Sequence, residues 1–175
     1  MARDNTVATL EERTKTALTK QSIVHIPTIS EGKVLEILRP FGTIQTELAC
    51  GIYNIDFVIG GSIAVECFGG NWHATGRAAA RQGKRIEYLL NTGFDVVVVW
   101  VHESKWHRIG WPAALEHVIM DLQFPGRGPS ASRQYWMIRS NGEIWQSGKR
   151  ENADFAFVAP ANRRRNSKGR YERAG

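Results

Sequence analysis

The sequence predicts a mixed α/β fold, and three observations lead to this prediction. The chain of 175 residues is 42% hydrophobic and 23% charged, a composition typical of globular proteins that bury a core of their own. Two short segments rich in β-branched and aromatic residues flank a pair of glycines, which indicates a β-hairpin. A strongly amphipathic segment and an unbroken apolar run follow them, as expected for a helix and a central strand.

We divide the chain into four parts on the basis of composition and periodicity. Residues 1–27 are expected to be an N-terminal appendage with one short helix, and residues 28–123 form the core. Residues 124–160 begin as a linker rich in Pro, Gly and Ser and continue as a small C-terminal β appendage, in which an Asn-Gly pair predicts a hairpin. Residues 161–175 form a basic tail that we expect to be disordered when nothing is bound.

Apolar spacing and strand patterns place the elements of the core. Helices are predicted at residues 30–39, 77–91 and 111–122. Strands are predicted at residues 52–59, 63–68 and 94–101. The spacing Thr9-x-x-Glu12 resembles a capping box and predicts the start of the N-terminal helix.

The register of the first hairpin decides where its acidic residues lie. A two-residue loop would pair Asp56 with Val65 and put Glu66 on the opposite face. A three-residue loop pairs Phe57 with Val65, gathers six apolar side chains on one face and sets Asp56 directly opposite Glu66 on the other. The six apolar residues are Ile55, Phe57, Ile59, Ile63, Val65 and Cys67. The hydrophobic pattern therefore predicts two carboxylates side by side.

Two facing carboxylates repel each other unless a divalent cation or a shared proton lies between them. Hard oxygen ligands in small number suit Mg²⁺, for which Mn²⁺ can substitute, and Mg²⁺ also binds substrate phosphates. His73, a few residues further on, can move a proton near neutral pH. The basic side chains of the following helix offer phosphate contacts. Together these groups predict metal-assisted hydrolysis of a phosphodiester.

Residues 54–100 resemble the PD-(D/E)xK nuclease superfamily, and within it the very-short-patch-repair endonucleases and related homing endonucleases. The resemblance rests on the Asp-Phe strand, the Glu-x-x-Gly-x-x-Trp-His segment, the basic helix and the Gly-aromatic-x-Val-x-x-x-Trp strand. It implies a restriction-endonuclease-like mixed sheet flanked by helices, and a Mg²⁺-dependent DNA endonuclease. The likeness to homing enzymes implies a phage or mobile-element setting.

The resemblance also implies roles for single residues. Asp56 matches the metal-binding aspartate, and Glu66 would be the second metal ligand. His73 matches the histidine that handles the proton of the water or the leaving group, and Glu31 matches a glutamate that supports the active site. The backbone carbonyl that touches metal in such enzymes would belong to Cys67. The expected catalytic residues are therefore Asp56, Glu66, His73 and Glu31.

The sequence departs from the pattern of these nucleases in two respects. The superfamily's lysine, two residues after Glu66, is replaced by Phe68, so that His73 or a migrated lysine such as Lys84 would have to take its role. A second histidine that is frequent in the repair branch is also absent. Mismatch-specific repair is therefore not implied.

DNA contacts are expected from the basic helix and from the tail. The tail holds six basic residues and one acid and supplies most of the net charge of +6. The expected contacts are Arg77, Arg81, Lys84, Arg85, Arg163, Arg164 and Arg165. The alternatives are a solvated helix face and a solubilising extension.

Structural interpretations also exist for the acidic and histidine candidates. Asp56 could cap a turn, Glu66 could face solvent, and His73 could pack against Trp72. Thr28-x-x-Glu31 is itself a capping-box spacing. The role of each residue therefore depends on its surroundings in the fold.

Three functions follow from these patterns. The first is a Mg²⁺-dependent DNA endonuclease. Because each chain would carry one active site, cutting both DNA strands would need two protomers, such as a homodimer, or two successive encounters with the DNA. The second is a nucleic-acid-binding module on a decayed nuclease fold, and the third is an interaction protein whose basic tail binds an acidic partner.

No membrane partner is expected, because the longest apolar run is too short to cross a bilayer. With two cysteines and no visible secretory signal, we expect a cytoplasmic protein, or one in the host cytoplasm if it is phage-encoded.

Overall fold

The computed structural model describes residues 8–69, 76–101, 110–124 and 132–147. In this part of the chain, helices cover both faces of one mixed sheet, which confirms the predicted mixed α/β fold. The helices are α1 (Leu10–Ser22), α2 (Ile29–Leu38), α3 (Gly76–Thr92) and α4 (Trp111–Gln123), with a short 3-10 helix at Arg39–Phe41. The strands are β1 (Ile44–Cys50), β2 (Tyr53–Ile59), β3 (Ile63–Gly69), β4 (Asp95–Val101), β5 (Tyr135–Arg139) and β6 (Ile144–Ser147). None of the described helices combines the length and the apolar character needed to cross a membrane.

The six strands lie side by side in chain order. The pairs β1–β2 and β2–β3 are antiparallel, β3–β4 and β4–β5 are parallel, and β5–β6 is antiparallel. The apolar strand β4 lies inside the sheet, and its valines at positions 96–99 are almost completely buried. This matches the prediction of a central strand covered on both faces.

Two hydrophobic cores lie on the two faces of the sheet. Helices α2 and α4 pack on one face against a core that contains Phe57 and Val65. Helix α3 covers the other face through Ile86 and Leu89, which belong to the core around Val98. The candidate functional site lies between these two layers, at one end of β2 and β3.

The predicted register of the first hairpin is confirmed where the two strands pair. Phe57 pairs with Val65 and Ile59 pairs with Ile63, as a three-residue loop requires. Five of the six predicted apolar residues belong to or pack against the core under α2 and α4, but Ile55 belongs to the opposite core. The prediction for Ile55 is therefore wrong. The alternation of β2 is interrupted between Ile55 and Phe57, so that these two side chains lie on opposite faces of the sheet.

Helix α1 and the second hairpin are integrated into the fold, although the sequence treats both as appendages. Helix α1 has the predicted capping box at Thr9, and it packs against β1 and β2 with Ala17 buried. Strand β5 pairs with β4, and its residues Tyr135, Met137 and Ile138 are buried. The open edge of the apolar strand β4 explains this placement, since its backbone groups need a partner on both sides.

A glycine contact fixes the second hairpin against the start of α4. A Cβ atom added to Gly110 would lie 2.8 Å from the carbonyl carbon of Asn141 and 3.0 Å from the Cα atom of Gly142. Because these neighbours are backbone atoms, we expect Gly110→Ala to lower the free energy of unfolding by about 1–3 kcal/mol.

Chemical denaturation measures this effect. Gly32→Ala in helix α2 is the matched control, because an added Cβ would meet nothing within 4 Å there. The control should be neutral or stabilising by up to about 1 kcal/mol. Equal behaviour of the two variants would contradict the close contact between the hairpin and α4.

Candidate functional site

The candidate site is an acidic cluster at the point where β2 and β3 separate. The β2–β3 ladder reaches Phe57 and Val65, whereas β3 continues alongside β4 as far as Gly69. Asp56 is the next residue of β2, and its Oδ2 accepts a hydrogen bond from the backbone N–H of Cys67 at 2.7 Å. A side-chain carboxylate thus takes the place of a backbone acceptor where the strands part. We define the acidic cluster as Glu31, Glu47, Asp56 and Glu66.

Glu47 lies opposite Asp56 on the neighbouring strand β1. The flanking pairs are Thr46 with Phe57 and Leu48 with Ile55, so the register places Glu47 at the level of Asp56. Glu47 has a φ of 51°, in the left-handed region that residues other than glycine rarely adopt. Such backbone is held by its surroundings and is frequent at functional sites. This irregular backbone lies at the level where β2 changes face.

Glu31 reaches the same region from the first turn of α2. Its Oε2 accepts the backbone N–H of Thr28 at 2.6 Å, and the hydroxyl of Thr28 accepts the N–H of Glu31 in return. The capping box proposed as the structural alternative is therefore present. The same Oε2 also lies 3.3 Å from Nε2 of His25, so the cap does not exclude a further role for Glu31.

Glu66 is paired with an arginine inside the protein. It is 1% exposed, and both of its carboxylate oxygens lie 2.6 Å from Nη2 of Arg85 on α3. Arg85 also donates to the backbone carbonyl of Asn54, and its guanidinium lies 5.8 Å from the centre of the Tyr53 ring. Glu66 is therefore a buried member of an ion pair and does not face solvent.

Burial raises the pKa values of two acids of the cluster, Asp56 and Glu66. Burial raises the pKa of Asp56 to about 6, against the opposing effects of the Cys67 N–H and Arg85, and the carboxylates of Glu31 and Glu47 raise it further. Burial also raises the pKa of Glu66, and the Asp56 carboxylate adds to this increase although Arg85 opposes it. Among the described residues, Arg85 pairs with Glu66 and His25 contacts Glu31 and Glu47, and a bound cation would further offset the charge of the four carboxylates.

The donor set fits a hard cation that needs few protein ligands. Among the residues that the structure describes, no three His, Cys, Asp or Glu side chains are arranged to hold a metal ion. Mg²⁺ is usually bound by one or two carboxylates, with water and substrate phosphate completing its coordination. Asp56 with one neighbouring carboxylate would satisfy this requirement. The expected second ligand, Glu66, is engaged by Arg85 and is the less accessible choice.

The basic residues predicted on α3 are divided between two environments. Arg81 and Lys84 are exposed, as expected for residues that contact a polyanion. Helical periodicity predicts Arg85 on the same outer side, but its side chain turns toward the sheet, because the buried carboxylate of Glu66 requires a counter-charge. The histidine at position 73, the side chain of Arg77 and the three tail arginines 163–165 lie outside the described residues.

Two residues of this region are not predicted from the sequence. Glu47 lies on a strand in which three successive polar residues interrupt the apolar alternation, so no strand is predicted there. The sequence indicates only a structural or exposed position for His25. His25 has one ring nitrogen near Glu31 and the other 3.5 Å from Oε1 of Glu47. Phe68, at the position of the missing lysine, is buried in the core under α3. The side chain at the lysine position is thus part of the apolar packing under α3.

Comparison with known proteins yields no match, whether with family models, with curated proteins or with solved structures. The function of this chain must therefore be inferred from its own residues.

Proposed function

We propose that this protein is a metal-dependent DNA endonuclease with a restriction-endonuclease-like core. The observation that carries the proposal is the position of Asp56. It is partly buried, it lies where two strands separate, and it is surrounded by further carboxylates. The mixed sheet between helices is compatible with the fold that the sequence resemblance implies.

Asp56 and one adjacent carboxylate would hold Mg²⁺, for which Mn²⁺ could substitute. The ion would supply an activated water and would stabilise the charge that develops on the phosphate. Arg85 favours the ionised form of Asp56, because its guanidinium opposes the increase in the pKa of Asp56. Glu31 would orient the attacking water, and His73 remains the predicted residue that handles the proton.

The exposed side chains of Arg81 and Lys84 would contact the phosphate backbone. They occupy successive turns of the helix that also supplies Arg85, so DNA held by this helix would lie near the acidic cluster. Arg163, Arg164 and Arg165 are proposed to add contacts from the tail. Binding through such groups should weaken steeply as the salt concentration rises.

The proposal is tested by incubating supercoiled plasmid with the purified protein in Mg²⁺, in Mn²⁺ and in EDTA. Asp56→Asn is the diagnostic variant. Asp121→Asn is the matched control, because Asp121 is an exposed acid on α4. Metal-dependent nicking or linearisation by the wild type and the control, and none by Asp56→Asn, is the expected result. Equal cleavage by Asp56→Asn would reject the assignment of the site.

A second candidate function is favoured by the Arg85–Glu66 pair. In this pair Arg85 binds Glu66, which is one of the two expected metal ligands, and Phe68 stands where the superfamily has a lysine. A nucleic-acid-binding module on a decayed nuclease fold would retain the helix and the tail but would not turn over. Such a protein would shift DNA in a gel equally in Mg²⁺ and in EDTA, without cleavage by either wild type or Asp56→Asn.

A further inference from the structure

We infer that His25 is a positioning residue of the proposed nuclease, which holds Glu31 and Glu47 in fixed orientations beside Asp56. The inference rests on the proposed function and adds two residues, His25 and Glu47, to the site. The sequence patterns predict neither of them.

The geometry places His25 between two carboxylates that come from different elements. His25 lies in the connection between α1 and α2, and its side chain is 25% exposed. Its Nε2 lies 3.3 Å from Oε2 of Glu31 and its Nδ1 lies 3.5 Å from Oε1 of Glu47. Each ring nitrogen thereby lies within 3.5 Å of a carboxylate oxygen, and the side chains of the two acids are 16% and 17% exposed.

Each of the two carboxylates is also anchored through a backbone. Oε2 of Glu31 is held by the N–H of Thr28 as well as by the histidine. Glu47 has its left-handed backbone, and its carbonyl accepts a hydrogen bond from Nδ2 of Asn54 at 3.2 Å. The imidazole therefore contacts two carboxylates, those of Glu31 and Glu47, whose backbones are fixed by other contacts.

Removal of the imidazole would leave these carboxylates without the group that separates them. Like charges repel, and the carboxylates of both acids already raise the pKa of Asp56. Rotation of Glu31 and Glu47 away from each other would move the oxygens that surround Asp56. We therefore expect the rate of cleavage and the response to Mg²⁺ to change, and the affinity for DNA to remain the same.

The test compares His25→Ala with His117→Ala. His117 is exposed on α4 and contacts Asp121, so its variant controls for the loss of an imidazole elsewhere. His25→Ala should lower kcat by about 10- to 100-fold and raise the Mg²⁺ concentration that gives half-maximal rate, as is typical when a group that orients metal-site residues is lost. KM for the DNA substrate, and the gel shift in EDTA, should match those of the wild type.

A double variant separates a positioning role from a structural one. In the Glu47→Gln background, His25→Ala should reduce kcat by a smaller factor than in the wild type, because the carboxylate that His25 orients has lost its charge. His25→Gln, which keeps one donor, should recover part of the rate and serves as the test if His25→Ala does not fold.

The outcomes distinguish the two proposals. If the wild type cleaves, Asp56→Asn does not, and His25→Ala cleaves at the wild-type rate, the inference is overturned and the nuclease stands. A parallel loss of kcat and DNA affinity, additive with Glu47→Gln, would overturn it in favour of a purely structural role. If the wild type shows no metal-dependent cleavage, both proposals fail.

Discussion

Asp56→Asn is expected to cleave DNA at least about 1000-fold more slowly than the wild type, because the proposed metal chemistry contributes several kcal/mol at this position. The same variant should be more stable than the wild type at neutral pH. Burial and the neighbouring acids disfavour the ionised form of Asp56 in the folded protein, and an amide does not ionise. Asparagine retains a side-chain oxygen that can accept the N–H of Cys67. The gain in stability would therefore come from removal of a charge and not from a new contact.

The pH dependence of this gain follows from the pKa of Asp56. That pKa is about 6 in the folded protein and 3.8 in an ordinary aspartate, so the folded state holds the proton more tightly. The stabilising contribution of the protonated carboxyl is fully present below the unfolded pKa and is lost as the pH rises through about 6. The loss amounts to about 3 kcal/mol. Asp56→Asn should therefore match the wild type at acid pH and exceed it by up to that amount above pH 7 or so.

Urea denaturation of the two proteins across this pH range measures the difference. Asp121→Asn again serves as the control, since an exposed acid should show little change. A constant difference between Asp56→Asn and the wild type from acid to neutral pH would contradict the raised pKa. Addition of Mg²⁺ should raise the unfolding midpoint of the wild type and leave that of Asp56→Asn unchanged.

Arg85→Ala is expected to lower the free energy of unfolding by about 3–5 kcal/mol, a large fraction of the stability of an ordinary domain. The substitution leaves the carboxylate of Glu66 buried without its counter-charge and next to Asp56. It also removes the hydrogen bond to the carbonyl of Asn54 and the contact with the Tyr53 ring. Glu66→Gln should cost less, because a neutral amide tolerates the same environment better.

The controls for Arg85 lie on the same helix. Arg81→Ala and Lys84→Ala remove exposed cations, and each should change the free energy of unfolding by no more than about 0.5 kcal/mol. These two variants should instead weaken DNA binding and reduce its dependence on salt. Replacing Arg85 and Glu66 together by leucine should recover much of the lost stability. A small effect of Arg85→Ala would show that Glu66 is not held as a buried ion pair.

The register of the first hairpin can be predicted from the sequence, because the alternation of apolar residues and the position of the glycines both constrain it. Strand β1 is not predicted, since Gln45, Thr46 and Glu47 interrupt any apolar alternation. Its pairing with β2 depends on the sheet as a whole. Alternation also assigns Ile55 to the wrong core. The strand changes face next to this residue, at the level of the unusual backbone of Glu47.

The candidate site can be predicted where its residues are close in sequence. Asp56 and Glu66 emerge from the sequence because one hairpin carries both. Helical periodicity identifies the side on which basic residues lie, but it does not show which of them bends inward, so it groups Arg85 with exposed Arg81. His25 and Glu47 are brought together only by tertiary packing, and no spacing in the chain indicates that contact.

The arrangement of the strands also has a consequence for the order of folding. The antiparallel strands β1, β2 and β3 join neighbouring segments, whereas β4 must pair in parallel with strands that lie far from it in sequence. Local pairings generally form sooner than such distant ones. Three of the four clustered acids are carried by the early meander, and Arg85 reaches them only when α3 docks. The folding chain thus brings three carboxylates together before the cation that offsets them arrives, so neutral pH should slow the step that leads to the native state.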